Sequence, residues 1–267
     1  MQTKVMGVLV VAMLSAASVA SAEEKLKPTG YRIVNGAPAD ISQHPWQVAL
    51  RIKHGGEADL CGGAIIARRW LVSAAHCFGA ASQAQGVQAK AGVANYQANG
   101  IWLDAERVIV HKDYNPKTQE NDIALIKLTS PAAGVKVDLA EKNMVIPANQ
   151  DLEVTGWGTT TEGGAASDVL MKANVPYVEN STCNKPANYK GAIKAGMMCA
   201  GYPEGGTDAC QGDSGGPLVW RQTEQHPVLV GIVSFGEGCA RKHKFGIYTR
   251  VSAYRDWVDQ VLSADGD

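Results

Sequence analysis

Most of this chain consists of short runs in which apolar residues cluster or alternate with polar ones. Val and Ile are common within the runs, and Gly, Asn and Pro residues separate them. This pattern is typical of β-strands connected by turns. Clear examples cover residues 46–50, 64–75, 122–128, 228–235 and 246–251.

One segment near the C-terminus has helical spacing instead. Its apolar positions, which recur at intervals of three and four residues, are Tyr254, Trp257, Val258, Val261 and Leu262. Ser252 precedes them and is suited to cap the first turn. We therefore expect one amphipathic helix after a long series of strands, and that order favours β-barrels or a sandwich.

The strand pattern weakens between residues 130 and 150, where Pro131, Gly134 and Pro147 interrupt it. The length of 267 residues allows one large or two medium domains, and the sequence has no internal repeat. We expect the chain to cross between two β units within this segment.

The first 22 residues form a separate segment. Lys4 gives it a weakly basic start, and residues 7–14 are an apolar run that is too short to span a bilayer. Ala20, Ser21 and Ala22 then offer the small residues that a signal peptidase requires. We expect a signal peptide at 1–22, with a buried N-terminal helix as the alternative. No later stretch has the length of a membrane helix, so we expect secretion to the periplasm or the medium.

Charge and cysteine content narrow the class of protein. The chain has 25 Lys and Arg against 26 Asp and Glu residues and no run of five like charges, which argues against nucleic acid or a charged membrane as a partner. Six cysteines in a secreted chain argue for three disulfide bonds, with fifteen pairings open. A zinc site is the alternative, but the sequence lacks a C-x-x-C pair and a His cluster.

The segment 212–217, which reads GDSGGP, holds the strongest candidate for chemistry. Three glycines around Ser214 permit backbone conformations that expose the hydroxyl and direct N–H groups to one point. Acyl transfer needs such a nucleophile with oxyanion donors beside it. An ordinary glycine-rich turn is the alternative, and a phosphate loop is disfavoured because no G-K-[ST] follows.

Two further residues complete a candidate catalytic set. His76 ends an apolar strand in the sequence SAAHC, and Asp122 opens the apolar run of NDIAL. A carboxylate that enters a buried strand needs a hydrogen-bond partner, and an imidazole N–H is one. Taken singly, a structural histidine and an exposed aspartate are the alternatives.

Together these motifs resemble the chymotrypsin and trypsin family, in the order His, Asp, Ser. The segments 154–158, 233–236 and 248–251 also match, so the resemblance runs from residue 33 to about 262. It implies two six-stranded antiparallel β-barrels with a C-terminal α-helix and an active site between the barrels. By this resemblance Ser214 is the nucleophile, His76 the general base and Asp122 its orienting group. The N–H groups of Gly212 and Ser214 form the oxyanion hole.

The resemblance also implies a substrate class. Asp208 matches the floor of the primary specificity pocket in trypsin-like members, and Gly236 and Gly246 match the glycines that keep the pocket open. A carboxylate there pairs with a guanidinium or ammonium group, so we expect cleavage after Arg or Lys. The family's disulfide pairs are Cys61–Cys77, Cys183–Cys199 and Cys210–Cys239.

The segment 23–32 looks like a propeptide, followed by a peptidase domain at 33–267. Cleavage after Arg32 would free the α-amino group of Ile33, which in the family pairs with the aspartate beside the nucleophile, here Asp213. Arg32 would itself fit a pocket floored by Asp208, so self-activation is one hypothesis and activation by another protease is the other.

The sequence departs from the family in three places. Phe235 and Phe245 replace residues common near the pocket, so subsite preferences beyond Arg or Lys stay open. The stretch 92–100 lacks the acidic residues of the vertebrate calcium loop, so we expect no calcium there.

The sequence thus predicts a secreted serine endopeptidase, made as a zymogen, that works without a cofactor or metal. We expect a monomer whose partners are polypeptide substrates and protein protease inhibitors. The first alternative is an inactive homologue that serves as a binding module, and the second is a purely structural disulfide-bonded domain. The natural substrate stays open.

Overall fold

The computed structural model describes residues 36–54, 57–79, 84–159, 164–210, 212–223 and 225–265. The expected signal peptide, propeptide and activation junction at Arg32 and Ile33 lie outside these ranges. None of the helices in these ranges has the length and apolar character to cross a membrane.

Six strands of the N-terminal half close into an antiparallel barrel. They are β2 (Gln47–His54), β3 (Glu57–Ala67), β4 (Trp70–Ser73), β5 (Val87–Ala91), β6 (Leu103–Val110) and β7 (Ala124–Leu128). Their order is β2-β3-β4-β7-β6-β5, with β5 paired back to β2. Every residue of β4 and β7 is buried, as expected of strands that fill a barrel interior.

Six strands of the C-terminal half close a second antiparallel barrel. They are β9 (Asp151–Gly156), β10 (Met171–Val178), β11 (Met197–Ala200), β12 (Pro217–Thr223), β13 (His226–Phe235) and β14 (Gly246–Arg250). Pairing of β9 with β10 completes the order β10-β11-β14-β13-β12-β9. Two short strands join this sheet: β1 (Ala37–Pro38) pairs with β10, and β8 (Asp138–Leu139) runs parallel to β13. The two-barrel fold implied by the resemblance is confirmed.

Two details differ from the sequence pattern. The run 64–75 is not one strand, because a turn at Arg68 and Arg69 separates β3 from β4 and makes a hairpin. Ser252 does not cap the C-terminal helix. It lies in a 3₁₀ turn at Val251–Ala253, and helix α2 begins at Arg255. The turn places Val251 in the core, where it is 1% exposed, before the helix starts.

The amphipathic character of α2 (Arg255–Asp265) is confirmed. Tyr254 and Val258 are buried in the core, and the predicted apolar positions Trp257, Val261 and Leu262 pack against it. Other helical segments are the single turn α1 (Asn180–Cys183) and 3₁₀ turns at Ile41–Gln43 and Ala75–Cys77. The segment between β7 and β9 carries the chain from the first barrel to the second.

Candidate active site

His76 lies in the 3₁₀ turn Ala75–Cys77 that follows β4 of the first barrel. Its neighbours Ala75 and Cys77 are buried, and Cys77 forms a disulfide bond with Cys61 of β3. The backbone is therefore fixed while the imidazole stays 23% exposed at the barrel surface.

Asp122 lies just before β7 and is 1% exposed. Its Oδ1 accepts from the backbone N–H of His76 at 2.8 Å, and its Oδ2 is 2.8 Å from His76 Nδ1. An ionised carboxylate only accepts hydrogen bonds, so Nδ1 carries a proton. The neutral imidazole then has Nε2 free as a proton acceptor.

The second barrel holds this carboxylate from the other side. Ser234 of β13 donates its hydroxyl to Asp122 Oδ2, and Thr249 of β14 donates its hydroxyl to the Asp122 carbonyl oxygen at 2.6 Å. Ser234 and Thr249 are both buried. Asp122 therefore belongs to the first barrel in sequence but is oriented by both barrels.

Ser214 lies in a turn that requires glycine on both sides. Gly212 has a φ of +93° and Gly215 a φ of +77°, in the region that side chains disfavour. A Cβ on Gly215 would come within 2.1 Å of Ser73 Oγ in the first barrel. Gly62 of β3 donates to the Ser214 carbonyl oxygen at 2.7 Å, so the turn is also tied to the first barrel.

The disulfide sulfur of Cys77 lies close to both Ser214 and His76. It lies 3.8 Å from the Ser214 carbonyl oxygen and 3.9 Å from His76 Nε2. Within the described ranges no hydrogen bond joins the Ser214 hydroxyl to His76. Resting sites of this kind often tighten only when substrate binds.

Two backbone N–H groups of this turn have no acceptor within the described ranges. The N–H groups of Asp213, Gly215 and Gly216 all donate to carbonyl oxygens, at 2.8–3.1 Å. Those of Gly212 and Ser214 donate to no protein group in the part of the chain that the structure describes. Both residues are partly exposed, so a ligand oxygen can take these two donors.

Asp213 is fully buried behind the turn. Its Oδ1 accepts from Gly158 N–H at 2.8 Å and its Oδ2 accepts from Cys210 N–H at 3.0 Å. Burial raises the pKa of Asp213 to about 6, although these two hydrogen bonds act to lower it. Among the described residues no cationic side chain contacts this carboxylate.

A pocket of about 200 Å³ opens beside Ser214, with Asp208, Gly236, Gly246 and Tyr248 among its lining residues. Asp208 is 3% exposed, and its Oδ2 accepts from Ala240 N–H at 3.2 Å. Its Oδ1 has no hydrogen-bond partner within the described ranges. A Cβ on Gly246 would lie 2.6 Å from that oxygen, so any larger residue there would block it.

Burial also shifts the pKa values of the acidic groups in this pocket. It raises the pKa of Asp208 to about 7, the nearby Asp213 adds to the rise, and hydrogen bonds from Ala240 and Ala209 oppose it. Burial likewise raises the pKa of Tyr248, whose hydroxyl also has no hydrogen-bond partner among the described residues. The pocket therefore offers two buried oxygen atoms to an incoming donor.

Three disulfide bonds join segments of the two barrels and their loops. They are Cys61–Cys77, Cys183–Cys199 and Cys210–Cys239, the same pairs that the resemblance implies. Cys210 and Cys239 both line the pocket. One group of side chains in the described ranges has metal-ligand spacing, Cys61, His76 and Cys77, but its two sulfurs are bonded to each other and cannot bind as thiolates.

Ser234 and Thr249 were not among the site residues that the sequence suggests. Both lie within segments that match the family, VSFG and YTRV, yet a hydroxyl in a strand carries no sign of its partner. The sequence does show a polar residue inside an otherwise apolar strand, and such a residue needs a hydrogen-bond partner when it is buried.

Comparison with known proteins agrees with this geometry. The trypsin family model matches residues 33–258. Transmembrane protease serine 11C of Mus musculus is 38% identical over 235 residues, which cover 86% of this chain and 53% of that protein. Transmembrane protease serine 11E of Mus musculus is 39% identical over 234 residues, which cover 86% of this chain and 54% of that protein. The chain thus spans about half the length of these curated relatives. It belongs to the trypsin family of serine proteases.

Proposed function

We propose that this chain hydrolyses polypeptides on the carboxyl side of Arg or Lys. The observation that carries the proposal is the buried Asp208 carboxylate, whose Oδ1 has no partner among the described residues, at a 200 Å³ pocket beside Ser214. A guanidinium or ammonium group supplies the missing donor, whereas an apolar side chain leaves the oxygen unpaired. Arg is preferred to Lys because its planar fork can bind both carboxylate and Tyr248 oxygens.

The proposed chemistry proceeds through an acyl-enzyme. Ser214 attacks the main-chain carbonyl carbon of the bound Arg or Lys residue, and His76 Nε2 takes the hydroxyl proton. Asp122 holds Nδ1–H and stabilises the imidazolium that forms. His76 then gives the proton to the leaving amine, and water repeats the sequence to release the acid and restore Ser214.

The unpaired N–H groups of Gly212 and Ser214 are the proposed oxyanion hole. As Ser214 attacks, the carbonyl oxygen becomes negative and moves toward these two donors. Because neither is paired within the described ranges, no existing hydrogen bond has to break. Donors fixed in this way stabilise the transition state more than the substrate.

We further propose that the protein is made as a zymogen, with a propeptide at 23–32 and a peptidase domain at 33–267. Cleavage after Arg32 would release the Ile33 ammonium group to pair with Asp213. Asp213 suits this role because it is buried, holds N–H groups of Gly158 and Cys210, and directly precedes Ser214. Self-activation is one proposed route, since Arg32 fits the proposed specificity, and activation by another protease is the other.

Export is proposed from residues 1–22 as a signal peptide. The two mouse relatives carry "transmembrane" in their names, but both are about twice as long as the matched region. Export accords with three disulfide bonds, which persist in oxidising compartments. Polypeptides with Arg or Lys before the scissile bond are the proposed substrates, and protein protease inhibitors are further proposed partners.

The direct test is hydrolysis by the processed chain of three peptide amides that differ only in Arg, Lys or Phe before the scissile bond. We expect kcat/KM in the order Arg, Lys, Phe, with Phe at least about 10³-fold below Arg because it leaves Asp208 unpaired. Ser214→Ala should remove activity on all three. A folded, processed chain that hydrolyses none of them would favour the binding-module alternative, and a preference for Phe would exclude the specificity.

A further inference from the structure

Two surface loops next to the pocket carry an excess of positive charge. Residues 179–194 and 237–244 together contain six Lys and Arg residues and two Glu residues, in a chain whose acidic residues otherwise outnumber its basic ones. We name the six positions the basic surface: Lys185, Lys190, Lys194, Arg241, Lys242 and Lys244. All are exposed except Lys244, which is partly buried.

Contacts between the loops make this one surface. The Tyr189 hydroxyl donates to the Phe245 carbonyl oxygen at 2.6 Å. Lys244 Nζ lies 3.4 Å from the Asn188 carbonyl oxygen and 5.2 Å from the centre of the Tyr189 ring. The disulfide bonds Cys183–Cys199 and Cys210–Cys239 anchor the backbones of the two loops.

Four of these six residues have no ion-pair partner among the described residues. Lys244 pairs with Glu237. Across the described ranges, Lys185, Lys190, Lys194 and Lys242 form no ion pair. Like charges held close together produce a positive potential that attracts an anionic ligand from solution.

The basic surface continues directly from the pocket. Gly236, Gly238 and Cys239 line the pocket, and Ala240 donates to Asp208. The basic residues begin one position later, at Arg241. A polypeptide with a side chain in the pocket therefore has neighbouring residues close to this surface.

We propose that the basic surface binds an acidic stretch of the polypeptide substrate, outside the scissile bond. This inference rests on the proposed hydrolysis after Arg or Lys, and it adds a second element of specificity. A polypeptide is the favoured ligand because the surface adjoins the pocket that holds the substrate. A sulfated polysaccharide would match the charge but has no group for the pocket.

The experiment compares two peptides that share one Arg-containing core. One has Glu and Asp residues on both flanks, and the other has Ser and Gly at the same positions. At low ionic strength we expect the processed enzyme to cleave the acidic peptide with about tenfold higher kcat/KM. The ratio of kcat/KM for the acidic peptide to kcat/KM for the neutral peptide should approach one at high salt, because exposed charges are screened.

The charge-reversed variant Lys185→Glu/Lys190→Glu/Lys242→Glu tests the location. Within the described ranges the side chains of these three residues form no hydrogen bond or ion pair, so the fold should be retained. We expect the ratio to fall below one in this variant. Arg68→Glu/Lys136→Glu/Lys142→Glu changes the net charge equally at other exposed sites and should keep the wild-type ratio.

The outcomes separate the inference from the proposed function. If neither peptide is cleaved, the proposed function fails. If both are cleaved equally by the wild-type enzyme, or both variants lower the ratio alike, the basic surface does not recognise substrate. The inference would also fail if heparin bound to the basic surface while the charge-reversed variant kept the wild-type ratio of the two kcat/KM values. That result would favour a polysaccharide ligand.

Discussion

Asp208 combines deep burial with an incomplete set of hydrogen bonds, and its ionisation should control ligand binding. Burial raises its pKa to about 7, so in the protein without ligand a large share of the Asp208 carboxyl groups is protonated at and below neutral pH. A cationic ligand binds the ionised form. Binding should therefore release a proton over the same pH range.

The raised pKa of Asp208 predicts how the affinity for a small amidinium such as benzamidine changes with pH. Affinity should rise about tenfold per pH unit below pH 7 and level off above it, as expected for one proton lost. Titration calorimetry in buffers of different ionisation enthalpy measures both affinity and proton release. Asp208→Asn should bind weakly at every pH. A wild-type affinity that does not change from pH 5 to 8 would contradict this role.

The hydroxyl of Thr249 supports Asp122 from the second barrel, so its removal should lower activity. Thr249→Val keeps the shape of the side chain but leaves the buried Asp122 carbonyl oxygen without its donor. Asp122 should then hold His76 less well, and we expect kcat to fall about tenfold with little change in KM, in line with the loss of one buried hydrogen bond. Steady-state kinetics on an Arg amide measure the two constants.

Thr249→Ser is the matched control because it retains the hydroxyl. It should restore most of kcat. Equal losses in the Val and Ser variants would show that packing, and not the hydrogen bond to Asp122, explains the effect.

Among elements, the loop after β5 depends on a cation of its own. Lys90 is 3% exposed, and its ammonium donates to the Tyr96 carbonyl oxygen at 3.1 Å and to the Ala98 carbonyl oxygen. It also lies 5.4 Å from the centre of the Trp102 ring. This is the loop whose lack of acidic residues led us to expect no calcium.

Lys90→Met should therefore destabilise the protein by about 2 kcal/mol, because two carbonyl oxygens lose a charged donor. Lys53→Met, at an exposed lysine of the same barrel, should change stability by less than about 0.5 kcal/mol. Urea unfolding measures both. If Lys90→Met unfolds at the wild-type midpoint, the ammonium does not hold the loop.

Element boundaries show where sequence patterns reach their limit. The apolar face of α2 was predictable because residue spacing alone specifies a helix face. The turn at Arg68 and Arg69 was not, because both flanking strands are buried and the apolar pattern continues through them. Ser252 also misled, since the need to bury Val251 directs the chain into a 3₁₀ turn before the helix begins.

The site depends on contacts between the two barrels. Gly62 bonds to Ser214, and Ser234 and Thr249 bond to Asp122, so each barrel orients a residue of the other. The sequence motifs suggested His76, Asp122 and Ser214 because their local patterns are distinctive. The N–H groups of Gly212 and Ser214 were expected as donors only through the family resemblance. The ionisation of the pocket could not be predicted, because it depends on burial and distance in the folded chain.

The buried charge of Asp213 gives a prediction for the whole precursor. Its pKa is raised to about 6 in the folded protein, so between about pH 4 and pH 6 the folded state binds more protons than the unfolded state. The contribution of Asp213 to the free energy of unfolding should therefore fall as pH rises through this range, by on the order of 3 kcal/mol. Urea unfolding of the uncleaved Ser214→Ala chain measures it.

The same measurement on Ser214→Ala/Asp213→Asn isolates Asp213, because Asp208 titrates in both chains. The double variant should lack the Asp213 part of the decline. After cleavage at Arg32, the Ile33 ammonium should favour the ionised carboxylate and reduce the decline in the Ser214→Ala chain. An identical pH dependence before and after cleavage would contradict the proposed ion pair.

We propose Ser214 as the nucleophile that His76 activates, and this pairing is the basis of the proposed reaction. Mass spectrometry of the processed protein after treatment with a serine-directed sulfonyl or phosphonyl fluoride tests it most directly. We predict one adduct per chain, located on Ser214, and loss of this labelling in His76→Ala. An adduct on another residue, or equal labelling of Ser214 without His76, would contradict the account.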